Sequence, residues 1–269
     1  MKNVLLLVHD DGGQEARFQA ALDLSRAVDG HLTCLDVTYT PTFAGGDPFY
    51  NDAYLTADLV TEEAAREASN KNKLQQRLAA EDVAWDWVDA KGDIAGCLKN
   101  ASELADVIVT NRELEAYGAP DMRAATGDLV VRSGKPVLAV PADLNRLDLS
   151  NVLVAWDGSL CAACALRAAV PLLKAASGVT ILEIQDGSVA APAEEAAAYL
   201  SRHDIHPTVR RLPVGAHGAG KVLTEELSRG EHGLLVMGGF SHLRFVEALF
   251  GGVTREMLTN SPVPLFLAH

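Results

Sequence analysis

Val4-Leu5-Leu6-Leu7-Val8-His9-Asp10-Asp11-Gly12 and Val152-Leu153-Val154-Ala155-Trp156-Asp157-Gly158-Ser159 are two versions of one pattern. Each is a short apolar run that ends in an acid and a glycine. Each leads into an Ala- and Leu-rich stretch of helical character, residues 16–28 in the first half and 162–176 in the second. The parallels then continue in order. Residues 30–37 answer 178–184, 88–92 answer 212–215, 105–109 answer 232–236, and 134–140 answer 261–267. Five strand signals recurring in one order are the mark of an internal duplication.

The strand signals are continuously apolar rather than alternating, and helical patterns lie between them. That combination predicts parallel sheets covered on both faces, hence an α/β fold of two tandem flavodoxin-like, doubly wound domains, each with a five-stranded parallel sheet. The boundaries fall at residues 1–141 for the first domain, 142–149 for a polar linker without a core pattern, and 150–269 for the second. At 269 residues the chain is long enough for two such cores.

Composition narrows the function. Hydrophobic residues make up 48% and charged residues 22%, as in folded soluble proteins. A net charge of -13 repels phosphate backbones and anionic lipid, so general nucleic-acid or membrane-surface binding is not expected. A single nucleotide is a different matter, because a local cradle of backbone N–H groups outweighs a global field. The amino terminus runs straight into a strand signal with no cleavage-site pattern, and a cytoplasmic protein is expected. Four cysteines in this length are no disulfide scaffold.

The segment with most chemistry follows the fourth strand signal of the second half. It reads Met237-Gly238-Gly239-Phe240-Ser241-His242-Leu243-Arg244, then Gly251-Gly252-Val253-Thr254. Glycines let a backbone approach an anion, and the free amides of a helix opening near Val253 carry partial positive charge. Thr254 offers a hydroxyl to an anion or to the helix start, and His242 and Arg244 offer charge. The same residues also suit a plain turn and helix start. Parallel topology sets the first and fourth strands side by side, which brings Asp157 to the same crevice. Asp157 can accept from a base or ribose, or cap the helix beginning near Ser159.

Strand-Asp157-Gly158-Ser159, a glycine loop after strand four, a glycine pair opening the last helix and a closing Pro262-Val263-Pro264 strand together resemble the universal stress protein A family, twice over along the chain. The resemblance implies ATP or another adenine nucleotide in the second domain, a regulatory stress role with slow or no hydrolysis, and an unidentified protein partner. It implies contacts from Asp157, Gly158, Ser159, Ile184, Met237, Gly238, Ser241, His242, Gly251, Gly252, Val253 and Thr254, with Ile184 offering its backbone to the adenine. Ser241 stands where the family's ATP-binding branch has glycine, and Gly252 where it has a hydroxyl residue. The family's branch without ATP is the alternative, an interaction scaffold. The resemblance also implies that residues 136–140 and 263–268 meet within one chain as a pseudo-dimer; a homodimer of whole chains stays open.

The first half departs further. Asn111-Arg112-Glu113-Leu114-Glu115 puts acids where the glycine loop would be, and Gly127-Asp128 is expected to place an acid at the opening of the helix. Asp10 and Asp11 are expected on the first strand as caps. Residues 39–51, rich in Pro, Gly and aromatics, fit a lid or docking loop as well as an elaborated surface loop. Cys161-Ala162-Ala163-Cys164 is a CxxC on a helix start, which lowers thiol pKa; it fits small packing residues, a redox switch or a metal ligand pair. Trp85 and Trp87 share one strand face, under a helix or at a domain interface. His203 and His206 fit solvent-facing positions, and His217 a loop near the cleft. No nucleophile elbow surrounds Ser159, so no hydrolase is expected.

Overall fold

The computed structural model of the chain describes residues 1–39, 53–112, 122–215, 218–240 and 252–269. The first half runs β1 (Asn3–Val8), α1 (Gln14–Val28), β2 (His31–Tyr39), α2 (Ala53–Leu78), β3 (Ala84–Gly92), α3 (Ile94–Ala101), β4 (Val107–Asn111), α4 (Met122–Ser133) and β5 (Val137–Val140). The second half repeats it as β6 (Asn151–Trp156), α5 (Leu160–Ala175), β7 (Gly178–Gln185), α6 (Ala193–Ser201), β8 (Thr208–Pro213), α7 (Gly218–Leu227), β9 (Leu234–Gly238), α8 (Gly252–Asn260) and β10 (Leu265–Ala268).

The ten strands form one sheet in the order β3-β2-β1-β4-β5-β10-β9-β6-β7-β8. Within each half every pairing is parallel. The halves join where β5 and β10 pair antiparallel, Leu265 with Ala139, Phe266 with Leu138 and Leu267 with Val137. The two expected segments therefore do more than approach each other: they share backbone hydrogen bonds. In both halves the strand order reverses direction beside the first strand, which opens a crevice at the carboxyl ends.

Strand periodicity explains the two cores. Val4, Leu6 and Val8 face one side of the sheet with Val152, Val154 and Trp156. Leu5 and Leu7 face the other with Leu153. Successive side chains point to opposite faces, so an unbroken apolar run feeds both layers at once. Each core runs across the β5–β10 seam, with Leu138 and Phe266 in one and Val137, Ala139, Leu265 and Leu267 in the other. Arg112 adds a polar tie: Nη1 donates to Met257 O at 3.2 Å and Leu258 O at 3.3 Å, placing a cation on the carbonyl end of α8.

Several sequence expectations need correction. The connection between the halves is not purely polar. Leu147 is buried, Leu144 and Leu149 pack beside it, and Leu147 N donates to Asp23 of α1 at 3.0 Å. The segment packs against α1 and the core beside it, which its leucines enter. Asp10 and Asp11 follow β1 rather than lying on it, and the residue capping α1 is Gly13. Gly127 and Asp128 sit in the interior of α4, because that helix already starts at Met122. Trp85 and Trp87 lie on β3, the outer edge of the sheet, far from the seam; Lys71 of α2 stands 5.7 Å over the Trp87 ring. They pack under a helix, not at the junction of the halves. The tip residues of the 39–51 segment, together with Glu113, Glu115 and His217, lie outside the described residues.

A shared core predicts shared stability. Phe266→Ala, at a fully buried seam position, is expected to cost about 3–5 kcal/mol. Both halves should then unfold in one urea transition. Variants retaining only Trp156, or only Trp85 and Trp87, would report each half separately, and their transitions should coincide.

Candidate functional site

The carboxyl end of the second half is an open cleft of about 250 Å³, a little below the roughly 300–1,000 Å³ usual for small-molecule sites. Its floor is Ala155, Trp156 and Asp157 from the end of β6, with Leu182 and Ile184 of β7 alongside. Met237, Gly238 and Phe240 form one wall, and Gly252, Val253 and Thr254 at the start of α8 form another. Seven of the twelve residues singled out from the sequence thus converge here: Asp157, Ile184, Met237, Gly238, Gly252, Val253 and Thr254. Ser241, His242 and Gly251 lie outside the described residues, as does Arg244. Gly158 and Ser159 stand beside the cleft and do not line it.

Each wall has a local cause. Gly238 ends β9 against the first turn of α5, where an added Cβ would lie 2.4 Å from Ala162 N, so nothing larger than glycine fits. Gly158 takes a φ of +73° and lets the chain after β7 close over it; a Cβ would meet Ala191 N at 2.0 Å. Its role is therefore to bring Ala191 in, whose carbonyl accepts from Trp156 Nε1 at 2.9 Å and fixes the indole. Ser159, not Asp157, caps α5, accepting from Ala162 N at 3.1 Å. Asp157 Oδ1 accepts from Ser159 N at 2.9 Å, a tight turn that leaves its carboxylate at the cleft floor. Asp186 and Ser188, which sequence reading passed over, also line the cleft. Asp186 Oδ1 accepts from Ser188 N and Oγ, at 2.8 and 2.6 Å. The repeat of Asp-x-Ser in Asp157-Gly158-Ser159 and Asp186-Gly187-Ser188 was the available signal.

Phe240 is a non-glycine residue at φ +61°, a conformation that costs about 1–2 kcal/mol for an L residue. It lies at the cleft mouth, where strain held by surrounding structure is common. The CxxC does not behave as its helix position suggests. Burial raises the Cys161 thiol, with Cys164 and Asp157 adding to it, and outweighs the helix start. Cys161 Sγ lies 3.4 Å from His269 Nδ1, which also sits 3.0 Å from Gly239 O, and both thiols are free. His203 is half-buried against Tyr199, with ring centroids 4.8 Å apart, at the amino-terminal end of β7 away from the cleft.

The first half is built differently at the same place. β4 ends at Asn111 where β9 ends at Gly238. Arg17 of α1 is fully buried and sends its guanidinium between the ends of β1 and β4. It donates to Leu7 O at 3.1 Å, His9 O at 2.8 Å, Asp11 Oδ1 and Oδ2 at 3.0 and 2.8 Å, and closely to Asn111 Oδ1. Asn111 Nδ2 in turn donates to Val140 O at 3.1 Å. Nearby, His9 Nδ1 lies 2.9 Å from Glu67 Oε1, both buried. Beside them Asp36 is buried with Oδ1 lacking a hydrogen-bond partner. Burial, then the charges of Glu67 and Asp89, push its carboxyl up to about 7, while Lys71 and Trp87 pull the other way. The long helix α2 delivers Glu67 and Lys71; its counterpart α6 is 9 residues against 26.

Comparison with solved structures places this architecture. A universal stress protein from Archaeoglobus fulgidus matches over 99% of this chain and 96% of its own length, at 20% identity and a TM-score of 0.73. The chain has the universal stress protein fold. A functionally unknown protein of Pseudomonas aeruginosa PAO1 matches over 100% of this chain and 92% of its own, at 14% identity and TM-score 0.63. A candidate universal stress protein of Pseudomonas aeruginosa UCBPP-PA14 follows at 99% and 93%, 14% identity and TM-score 0.60. These are full-length matches, so the tandem universal stress fold as a whole, not one domain, is shared. No protein-family model matches the sequence, and no curated protein matches it.

Two outcomes follow for the first half. Arg17→Met leaves Asp11 buried without its cation, and a loss of about 3–5 kcal/mol is expected in chemical denaturation. Asp36 gives a pH dependence. Between pH about 4 and 7 the folded state holds a proton that the unfolded state releases, so its contribution to stability falls as pH rises through that window and levels off above it. Asp36→Asn should therefore raise Tm at pH 8 and change it far less at pH 5.

Proposed function

We propose that the chain is a tandem universal stress protein that holds an adenine nucleotide, ATP or a relative, in the cleft of its second half and nowhere in the first. The observation that carries the reading is the contrast between equivalent sites. In the second half, Gly238 and the amino-terminal turn of α8 border an open cleft; in the first, Asn111 stands where Gly238 does and its side chain is held by the buried Arg17. The α8 amides and helix dipole suit a phosphate. Asp157 suits a ribose or base donor, and Ile184, Leu182 and Met237 supply apolar surface for a base. The reading includes a regulatory, cytoplasmic role in which occupancy alters a surface seen by a protein partner. It assigns no vigorous hydrolysis.

A ligand-free scaffold is the second reading. The observation favouring it is that the first half already completes this fold with its own arginine in place of a ligand. It also draws on the carboxylates of Asp157 and Asp186 in the cleft, which disfavour an anion placed beside them.

Protein purified without added nucleotide, denatured and examined by mass spectrometry should release one adenine nucleotide per chain. Titration of emptied protein should quench or shift Trp156 fluorescence, since that residue borders the cleft. Gly238→Val would damage the packing on α5 and is uninformative alone. Gly252→Glu is the discriminating variant, because among the described residues no atom lies within 4 Å of a Cβ there, so an acidic side chain is added at the α8 start without a clash. At least tenfold weaker binding is expected. An empty protein that also fails titration overturns the nucleotide reading.

A further inference from the structure

At the opposite end of β9 from the cleft, the segment joining α7 to β9 carries a second cluster. The His232 side chain is only 6% exposed, yet neither Nδ1 nor Nε2 has a hydrogen-bond partner. Its Nε2 lies 3.9 Å from Oε1 of Glu226, a carboxylate in the last turn of α7 that is itself buried. Glu231, exposed, brings a third donor, and one ligand atom from each of the three lies within 4.8 Å of the others. Burying an imidazole with both nitrogens unsatisfied is costly, which calls for an occupant that uses a lone pair.

We infer that Glu226, Glu231 and His232 form a binding site for one divalent transition-metal cation of the zinc class, with water completing the coordination. One imidazole and two carboxylates are a donor set suited to zinc and its neighbours rather than to magnesium or calcium, which take oxygen alone. Two ligands each about 2.1 Å from one ion can stand up to about 4.2 Å apart, so the 3.9 Å gap between Nε2 and Oε1 is bridged by a single metal with little movement. Burial lowers the pKa of His232, against the pull of Glu226 and Glu231 and with Arg210 on its side. The exposed Glu231 gives a route from solvent.

Two arginines set the affinity. Arg229 Nη1 lies 3.2 Å and Arg210 Nη2 3.3 Å from Glu226 Oε2, while Arg210 Nη1 makes a close contact with Oε1. They hold Glu226 in place and compete with the ion for it, so binding is modest and should tighten when one is removed. Because α7 also supplies Ala219 and Leu223 to the cleft, the metal would anchor one of the cleft's own helices.

The full chain, untagged and stripped with a chelator, would be titrated with Co²⁺ alone and then challenged with Zn²⁺. One equivalent of Co²⁺ with visible bands of nitrogen and oxygen coordination, displaced by Zn²⁺, is expected. Glu231→Gln, at an exposed position that leaves the fold undisturbed, should weaken it at least tenfold, and His232→Asn should abolish it. Arg229→Met should tighten it several-fold. The inference fails if no Co²⁺ is retained, if the bands persist unchanged in Glu231→Gln and His232→Asn, or if the absorption is that of thiolate ligation and disappears with Cys161→Ser and Cys164→Ser.

Discussion

The antiparallel pairing of β5 with β10 is the constraint on which the rest depends. Each half alone would end in a short, wholly apolar strand with a free row of backbone donors and acceptors, an invitation to aggregation. Pairing the two strands satisfies both rows and joins the layers on each face into continuous cores. It also fixes direction. Strands of the two halves run opposite ways, so their carboxyl ends, and the crevices there, emerge from opposite margins of the sheet.

That geometry lets one ancestral plan be finished in two ways. In the second half a glycine closes β9 and the crevice stays open. In the first, an asparagine closes β4, and a guanidinium reaches through from α1 to bind two strand carbonyls, a carboxylate and that asparagine. One leaves an open cleft; the other is tied internally, and adds a buried acidic group, Asp36, whose charge the fold resists.

Much of this was legible in the chain itself. The order of the apolar runs carried the duplication and the sheet type, because unbroken Val/Leu runs have few other ways to be buried; the partner strands at the seam came from the family resemblance. Asp157, Gly238 and the start of α8 were legible because strand ends and a glycine pair place them by topology, and Ile184 and Met237 through the family resemblance. What sequence could not give was depth. Arg17 reads as one cation in an amphipathic helix until its burial is known. Gly158 reads as a ligand contact until Ala191 is seen lying against it. Gly127-Asp128 reads as a helix start only because nothing in the spacing shows the helix already formed at Met122.

The filling of one crevice from within has a consequence for stoichiometry. A symmetric pair of identical single-domain subunits has two equivalent mouths and can be half or fully loaded. Here the pair is covalent and unequal, so under the proposed reading one chain would be monovalent and polar: one margin of the sheet would change with its occupant and the other would stay constant. Such a molecule would respond in a simple hyperbolic way, without cooperativity between sites. A partner reading the variable margin would meet one signal per chain and could not be cross-linked through it.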